Sequence, residues 1–323
     1  PPRVQHQFIP FDHPKWTTKF IKTWKPDFGL IMESELWPNL IHDAYCQNVR
    51  LAIVNGRLSA KSTKRWKMFP KMIKNILSQF EIIIAQSEEA KERLQTLGAQ
   101  NVHYFGNLKY AAASLSAPRE MMADLWNIVG DRPVWVAAST HPGEESMILQ
   151  AHHLLSRHFP SILTIIIPRH PIRGNEITAL ATQQTTSIAQ RSKGAFPEAE
   201  IEIYIADTLG ELGLFYRIAP VVFIGGSLFQ FGGHNPIEAA QLDCAVLHGP
   251  DMENFKSMRD ALIHSGASVC VKTPSEIADE VSFLFKNPGE LRKRQALGYD
   301  LSTQHNDTAI RVIEGIEKIL TPA

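Results

Sequence analysis

Between residues 141 and 238 the sequence gathers side chains suited to holding an anionic, sugar-bearing ligand. Arg169 and His170 follow a β-branched run and lie between Pro168 and Pro171, which stiffen the loop. A guanidinium placed there can fork onto a phosphate. Thr208 and Glu211 have the spacing of a capping box at the start of an apolar segment, whose first N–H groups can meet the same phosphate. Residues 222–250, VFIGGSLFQFGGHNPIEAAQLDCAVLHGP, hold two glycine pairs and then a helix start with Asn235 as N-cap, Pro236 at N1 and Glu238 at N3. Glycines let a ligand approach the backbone, and Glu238 can accept hydrogen bonds from vicinal sugar hydroxyls. His141, Pro142 and Glu144 repeat the cap, N1 and N3 pattern. Near the chain start, Glu33 and Glu35 close a short apolar strand, at the rim where a second substrate would bind.

These residues suit an activated-sugar or nucleotide enzyme better than a hydride-transfer enzyme. No GxGxxG follows the first strands, and no GxxxxGK[ST], HExxH or CxxC signature occurs. Each residue also has a purely structural reading. Glu144, Glu211, Glu238 and Glu276 fit capping boxes, and His141, His170 and His234 can be loop histidines bonded to backbone. The lysines between residues 61 and 74 fit the solvated face of an amphipathic helix.

The elements needed to position such a site are legible. Apolar runs near residues 28, 50, 82, 102, 134, 163, 202, 221, 245 and 268 alternate with helical segments, which implies mostly parallel sheets. Residues 62–77 read as one basic amphipathic helix, residues 179–190 as a helix, and residues 301–320 as one or two closing helices. The fold class expected is α/β, with two Rossmann-like domains facing a cleft. Residues 1–110 form the first, 111–130 a linker, and 131–323 the second with its closing helices. The chain has 323 residues, 33 basic and 33 acidic, so nothing in its charge suggests a nucleic-acid partner. Cys46, Cys244 and Cys270 are far apart and read as buried thiols. No stretch of eighteen apolar residues is present.

Longer motifs add to this reading: MESELWPN at 32–39, NGRLS at 55–59, QSEEAKERLQTLGA at 86–99, GNLKY at 106–110, ASTHPGEE at 138–145, PRHPIR at 168–173, ADTLGELGLFY at 206–216, GGSLFQFGGHNPIEAA at 225–240 and GPDMENF at 249–255. In these segments, and in their order, the chain resembles the Kdo (3-deoxy-D-manno-octulosonic acid) transferases of lipopolysaccharide assembly. The resemblance implies an inverting GT-B glycosyltransferase without metal or cofactor. It would use CMP-Kdo as donor and a tetra-acylated lipid A precursor as acceptor, at the cytoplasmic face of the bacterial inner membrane. By the same resemblance Ser139, Thr140, His141 and Glu144 line the donor pocket. Arg169 and His170 meet its phosphate or carboxylate, and Gly210, Glu211 and Leu212 add helix N–H groups. Gly226, Asn235 and Glu238 complete the nucleotide site. Glu33, Arg57, Lys64 and Lys67 fall on the acceptor side.

The family's general base lies in a glycine-rich loop that precedes the matching region. About a hundred leading residues are therefore expected to be absent and the first domain incomplete, with an exposed edge on its first strand. Glu35 stands as the substitute base, and full activity is not expected of residues 1–323 alone. Two rivals remain: a UDP-sugar transferase of the same fold, and a non-catalytic donor- or lipid-binding protein.

Overall fold

The computed structural model describes residues 4–33, 35–108, 114–303 and 307–320. Ser34, the last two residues of GNLKY and the first three of the expected linker lie outside that set. The chain divides into two compact units, residues 1–111 with 305–323, and residues 112–304.

The first unit holds a parallel sheet in the order β1 (Phe28–Met32), β2 (Arg50–Gly56), β3 (Ile82–Ala85), β4 (Val102–Tyr104). β2 and β3 are apolar without alternation because both of their faces are covered. On one face, helices Pro14–Trp24, Pro38–Cys46, Pro70–Leu77 and Glu88–Thr96 contribute Ile21, Ile41, Ile73, Leu77 and Leu94 to a common core. On the other, Val312 of helix Thr308–Leu320 packs with Ala52, Val54, Ile82 and Ile84. The last helix thus belongs to the first unit, which corrects the expected range 131–323 for the second domain. A parallel sheet needs a helix on each face, and here the chain's end supplies the second cover. β1 is an edge strand, with Leu30 and Met32 48% and 47% exposed.

The basic segment 62–77 is two helices instead of one, Ala60–Trp66 and Pro70–Leu77. Pro70 has no N–H to continue the first helix and instead opens the second. Ser59 caps the first, its Oγ accepting from the Ser62 N–H at 3.0 Å. Cys46 is exposed while Cys244 is buried and Cys270 is intermediate, so the three thiols do not share the buried placement expected of them. Cys46 ends its helix one turn from His42, with Sγ 3.6 Å from Nε2.

The second unit holds seven parallel strands: β5 (Val134–Thr140), β6 (Leu163–Pro168), β7 (Ile188–Gln190), β8 (Ile203–Ile205), β9 (Val221–Ile224), β10 (Ala245–His248) and β11 (Ser268–Cys270). Their order is β11-β10-β9-β5-β6-β8-β7. The chain runs outward from β5 through β6 and then returns to the other side of β5 as β9. That reversal makes the gap between β5 and β9 a topological switch point, where the loops at the strand ends part and leave a crevice. Residues 179–190 are not one helix: helix Gly174–Thr182 ends first, and β7 follows. A three-residue strand is too short to show a period of its own.

Candidate functional site

The loops leaving β5, β6 and β9 meet at the switch point. Gly225 donates its N–H to Ala138 O at 2.7 Å, and a Cβ at Gly225 would lie 2.6 Å from Ser139 O, so only glycine permits this approach. Ser139 takes a left-handed backbone (φ 57°) where β5 slips register against β6. Arg169 N–H then bonds Thr140 O at 3.0 Å, stitching the PRHP loop to β5. The Thr140 hydroxyl is fully buried and, among the described residues, has no hydrogen-bond partner.

Glu144 ties the two main loops together. Its carboxylate is fully buried and accepts four backbone N–H groups: His141 at 2.9 Å, Gly226 at 2.7 Å, Ser227 at 3.0 Å and Leu228 at 2.9 Å. Glu144 therefore fixes the two loops against each other, and its carboxylate is enclosed where a ligand group would need it open. Helix Glu144–Ser156 starts after Gly143, so the His141 cap expected from sequence is replaced by this longer-range arrangement. The neighbouring Glu145, 1% exposed, is held by Arg173 at 2.6 and 3.2 Å.

Above this floor lie aromatic and cationic groups. His141 Nε2 is 2.9 Å from His234 Nε2, and Phe231 stacks on His141 with 4.3 Å between ring centroids. His170 meets His141 edge-on at 6.0 Å. Arg169 and His170 are exposed, and the charge of Arg169 reaches both His141 and His234. Burial, reinforced by His141, Arg169 and His170, pushes His234 down to about 4; burial also lowers His141. Gly226 (φ 67°) forms the surface beneath, where a Cβ would sit 3.0 Å from the His234 ring and 3.3 Å from His141.

The other expected donor residues are placed differently from their sequence roles. Helix Ile237–Ala240 starts one residue later than expected, with Pro236 at its cap. Asn235 accepts from Ile237 N–H at 3.1 Å and donates to Glu238 at 3.1 Å. Burial raises the Glu238 carboxyl above its ordinary range, with Asn235 opposing. Glu211 is itself the cap of helix Leu212–Ile218, so no capping box with Thr208 forms there; the Thr208 hydroxyl donates to the Glu211 carboxylate instead. Arg191 grips Glu211 at 2.7 and 3.1 Å and holds its carboxyl below the usual range. Gly210 is exposed with φ 83° and Leu212 is intermediate. Sequence reasoning passed over Arg191, and also Asp207, which accepts from Gln190, Ser192 N–H and the Ser192 hydroxyl at 2.7 to 2.9 Å. The ADT motif held Asp207 in view, but its partners come from the end of β7 and the turn after it, which the sequence does not reveal.

In the first unit, Glu33 (φ 58°) follows β1 and donates its N–H to Val54 O at 2.9 Å. Glu35 is exposed and accepts the Trp37 indole N–H at 3.0 Å. Arg57 follows β2 and is exposed, as are Lys64 and Lys67.

Comparison with known proteins decides the family. Residues 1–112 match the family described as 3-deoxy-D-manno-octulosonic-acid transferase (kdotransferase). The 3-deoxy-D-manno-octulosonic acid transferase of Haemophilus influenzae is 32% identical over 323 residues, covering 98% of this chain and 75% of that protein. The chain belongs to the Kdo transferase family. It spans 66–75% of the length of the curated relatives it matches, the lower figure against the Rickettsia felis protein. Among solved structures, this Kdo transferase chain is similar to the C-terminal CMP-Kdo binding domain of WaaA from Acinetobacter baumannii. The two share 29% identity and a TM-score of 0.55, over 57% of this chain and 97% of that domain. It shares its fold, at 13% identity and a TM-score of 0.58 over 99% of this chain and 84% of the other, with a glycosyltransferase from Rickettsia africae. The shared fold is thus α/β, built on parallel sheets.

Proposed function

We propose that this chain transfers Kdo from CMP-Kdo to a lipid A precursor in lipopolysaccharide biosynthesis, by direct inverting displacement. The observation that carries the reading is the convergence of Arg169, His170, His141 and Gly226 at the β5/β9 switch point, in a chain that over 57% of its length is similar to a CMP-Kdo binding domain. Arg169 meets the phosphate or the sugar carboxylate, and the loop at Gly210 and Leu212 lies along the same ligand. Glu238 and Asn235 hold the nucleoside hydroxyls. Ser139 faces the donor, while the buried Thr140 and Glu144, together with Glu211, act by fixing loops. CMP leaves with its charge stabilised by Arg169, and the reaction draws on no resident metal or organic cofactor.

The first unit takes the lipid. Glu33 and Glu35 lie towards the acceptor hydroxyl, with Glu35 the carboxylate of this chain assigned to take its proton, and Arg57 meets an acceptor phosphate. Met68, Phe69 and Met72 are exposed beside Lys64, Lys67 and Lys71, an apolar and basic surface suited to the anionic cytoplasmic face of the inner membrane. Among the described residues, no helix is long and apolar enough to cross a membrane.

The deciding experiment incubates the protein with CMP-Kdo and lipid A precursor and follows Kdo addition by mass spectrometry. Calorimetry of CMP against UDP accompanies it. CMP should bind at least tenfold more tightly than UDP, and Arg169→Ala should weaken CMP by roughly tenfold or more. Preference for UDP, or indifference to the Arg169 change, would refute the donor assignment. CMP binding without Kdo addition would leave the donor site standing and remove Glu35 as the base.

A further inference from the structure

Two imidazoles from loops 93 residues apart meet at the rim, with Nε2 to Nε2 2.9 Å. Their ring centroids are 5.1 Å apart and the planes differ by 15°, the geometry of an end-to-end hydrogen bond. Such a contact needs one proton between the two nitrogens. In the neutral pair one ring is the Nε2–H tautomer and the other carries its proton on Nδ1. A single added proton can settle on the free Nδ1 of the donating ring. The bond then survives and becomes charge-assisted. A second added proton would set two N–H groups against each other. The pair therefore has room for one positive charge and not two.

The charged neighbours leave that place open. From the β5 loop, Glu144 and Glu145 face His141, but backbone N–H groups and Arg173 already occupy them. From the β6 loop, Arg169 and His170 act on both rings, and repulsion adds to burial in keeping the unliganded pair neutral. A CMP-linked sugar acid brings a phosphodiester and a carboxylate, and the departing cytidylate is a phosphomonoester. Either ligand sets about two negative charges against the one guanidinium of Arg169.

We propose that His141 and His234 act as one unit that takes up a single proton when the cytidylate phosphate docks at this rim, so that donor and product binding are proton-linked. The proposal rests on the donor reading above and assigns His234, with its partner, a direct share in phosphate recognition.

The test is calorimetric titration of the full chain with CMP at pH 7.5 in buffers of different ionisation enthalpy, with cytidine as the phosphate-free comparison. At that pH the CMP phosphate, with its second pKa at about 6, contributes little proton exchange of its own. The wild-type enthalpy should vary with the buffer by a slope near one proton taken up, and cytidine should show none. The double variant His141→Asn/His234→Asn should lose the slope and bind CMP roughly tenfold more weakly. A wild-type slope of zero overturns the proposal without any variant, as does an undiminished slope in the double variant. CMP that binds without buffer dependence removes the proton-linked pair alone. Failure of CMP to bind at all removes the donor reading as well.

Discussion

At the scale of single residues, one buried carboxylate organises the site. Glu144 accepts four backbone N–H groups, from His141, Gly226, Ser227 and Leu228. Each buried donor left unpaired costs about 1–3 kcal/mol. Glu144→Ala should therefore destabilise the fold by more than about 3 kcal/mol in denaturant melts, and Glu144→Gln by less, because one acceptor oxygen remains. Equal midpoints for wild type and the alanine variant would contradict the clasp. A second prediction concerns acid. His234 sits near 4 in the fold against 6.5 for the free side chain. A histidine depressed in this way contributes its stability in full above the unfolded value, and that contribution drains away as pH falls from about 6.5 towards 4, because the unfolded chain binds the proton first. Burial lowers His152 too, with Glu202 opposing, and it acts in the same direction. The melting temperature should fall across this window, and the double His141→Asn/His234→Asn variant should show a shallower fall. A flat profile would contradict the assignment.

At the scale of elements, Pro70 divides the basic stretch into two short helices and leaves Met68 and Phe69 in the turn, 67% and 57% exposed. A single continuous helix would have spread the lysines along one solvated face. The break instead gathers apolar side chains among Lys64, Lys67 and Lys71. Each lysine near an anionic surface contributes about 1 kcal/mol. Changing all three to glutamine should lower binding to vesicles rich in anionic lipid by roughly a hundredfold, an effect that shrinks as salt is raised. Unchanged vesicle sedimentation would place the membrane contact elsewhere.

At the scale of the whole molecule, the chain crosses from the second unit back to the first through its final helix. Val312 and its helix cover Ala52, Val54, Ile82 and Ile84, and the Thr308 hydroxyl donates to Phe105 O at 3.2 Å. Ending the chain at residue 306 should expose that apolar face, seen as dye binding and loss of soluble protein, while CMP binding in whatever remains soluble is kept. Full solubility without dye binding would show that this cover is dispensable.

The alternation of strands and helices, the parallel sheets and the loops at the strand ends could be read from the sequence, because local periodicity and turn chemistry encode them. The loop residues Arg169, His170, His141 and Gly226 were likewise legible, since polar and glycine residues directly after buried strands stand out. Tertiary structure alone decided which of them meet. The four partners of Glu144 include three N–H groups 82 to 84 residues away, and backbone donors carry no side-chain signature. The His141–His234 bond depends on β9 returning beside β5, and the cover for the first sheet comes from the far end of the chain. Contacts of this kind follow from strand order, which one sequence's local pattern does not fix.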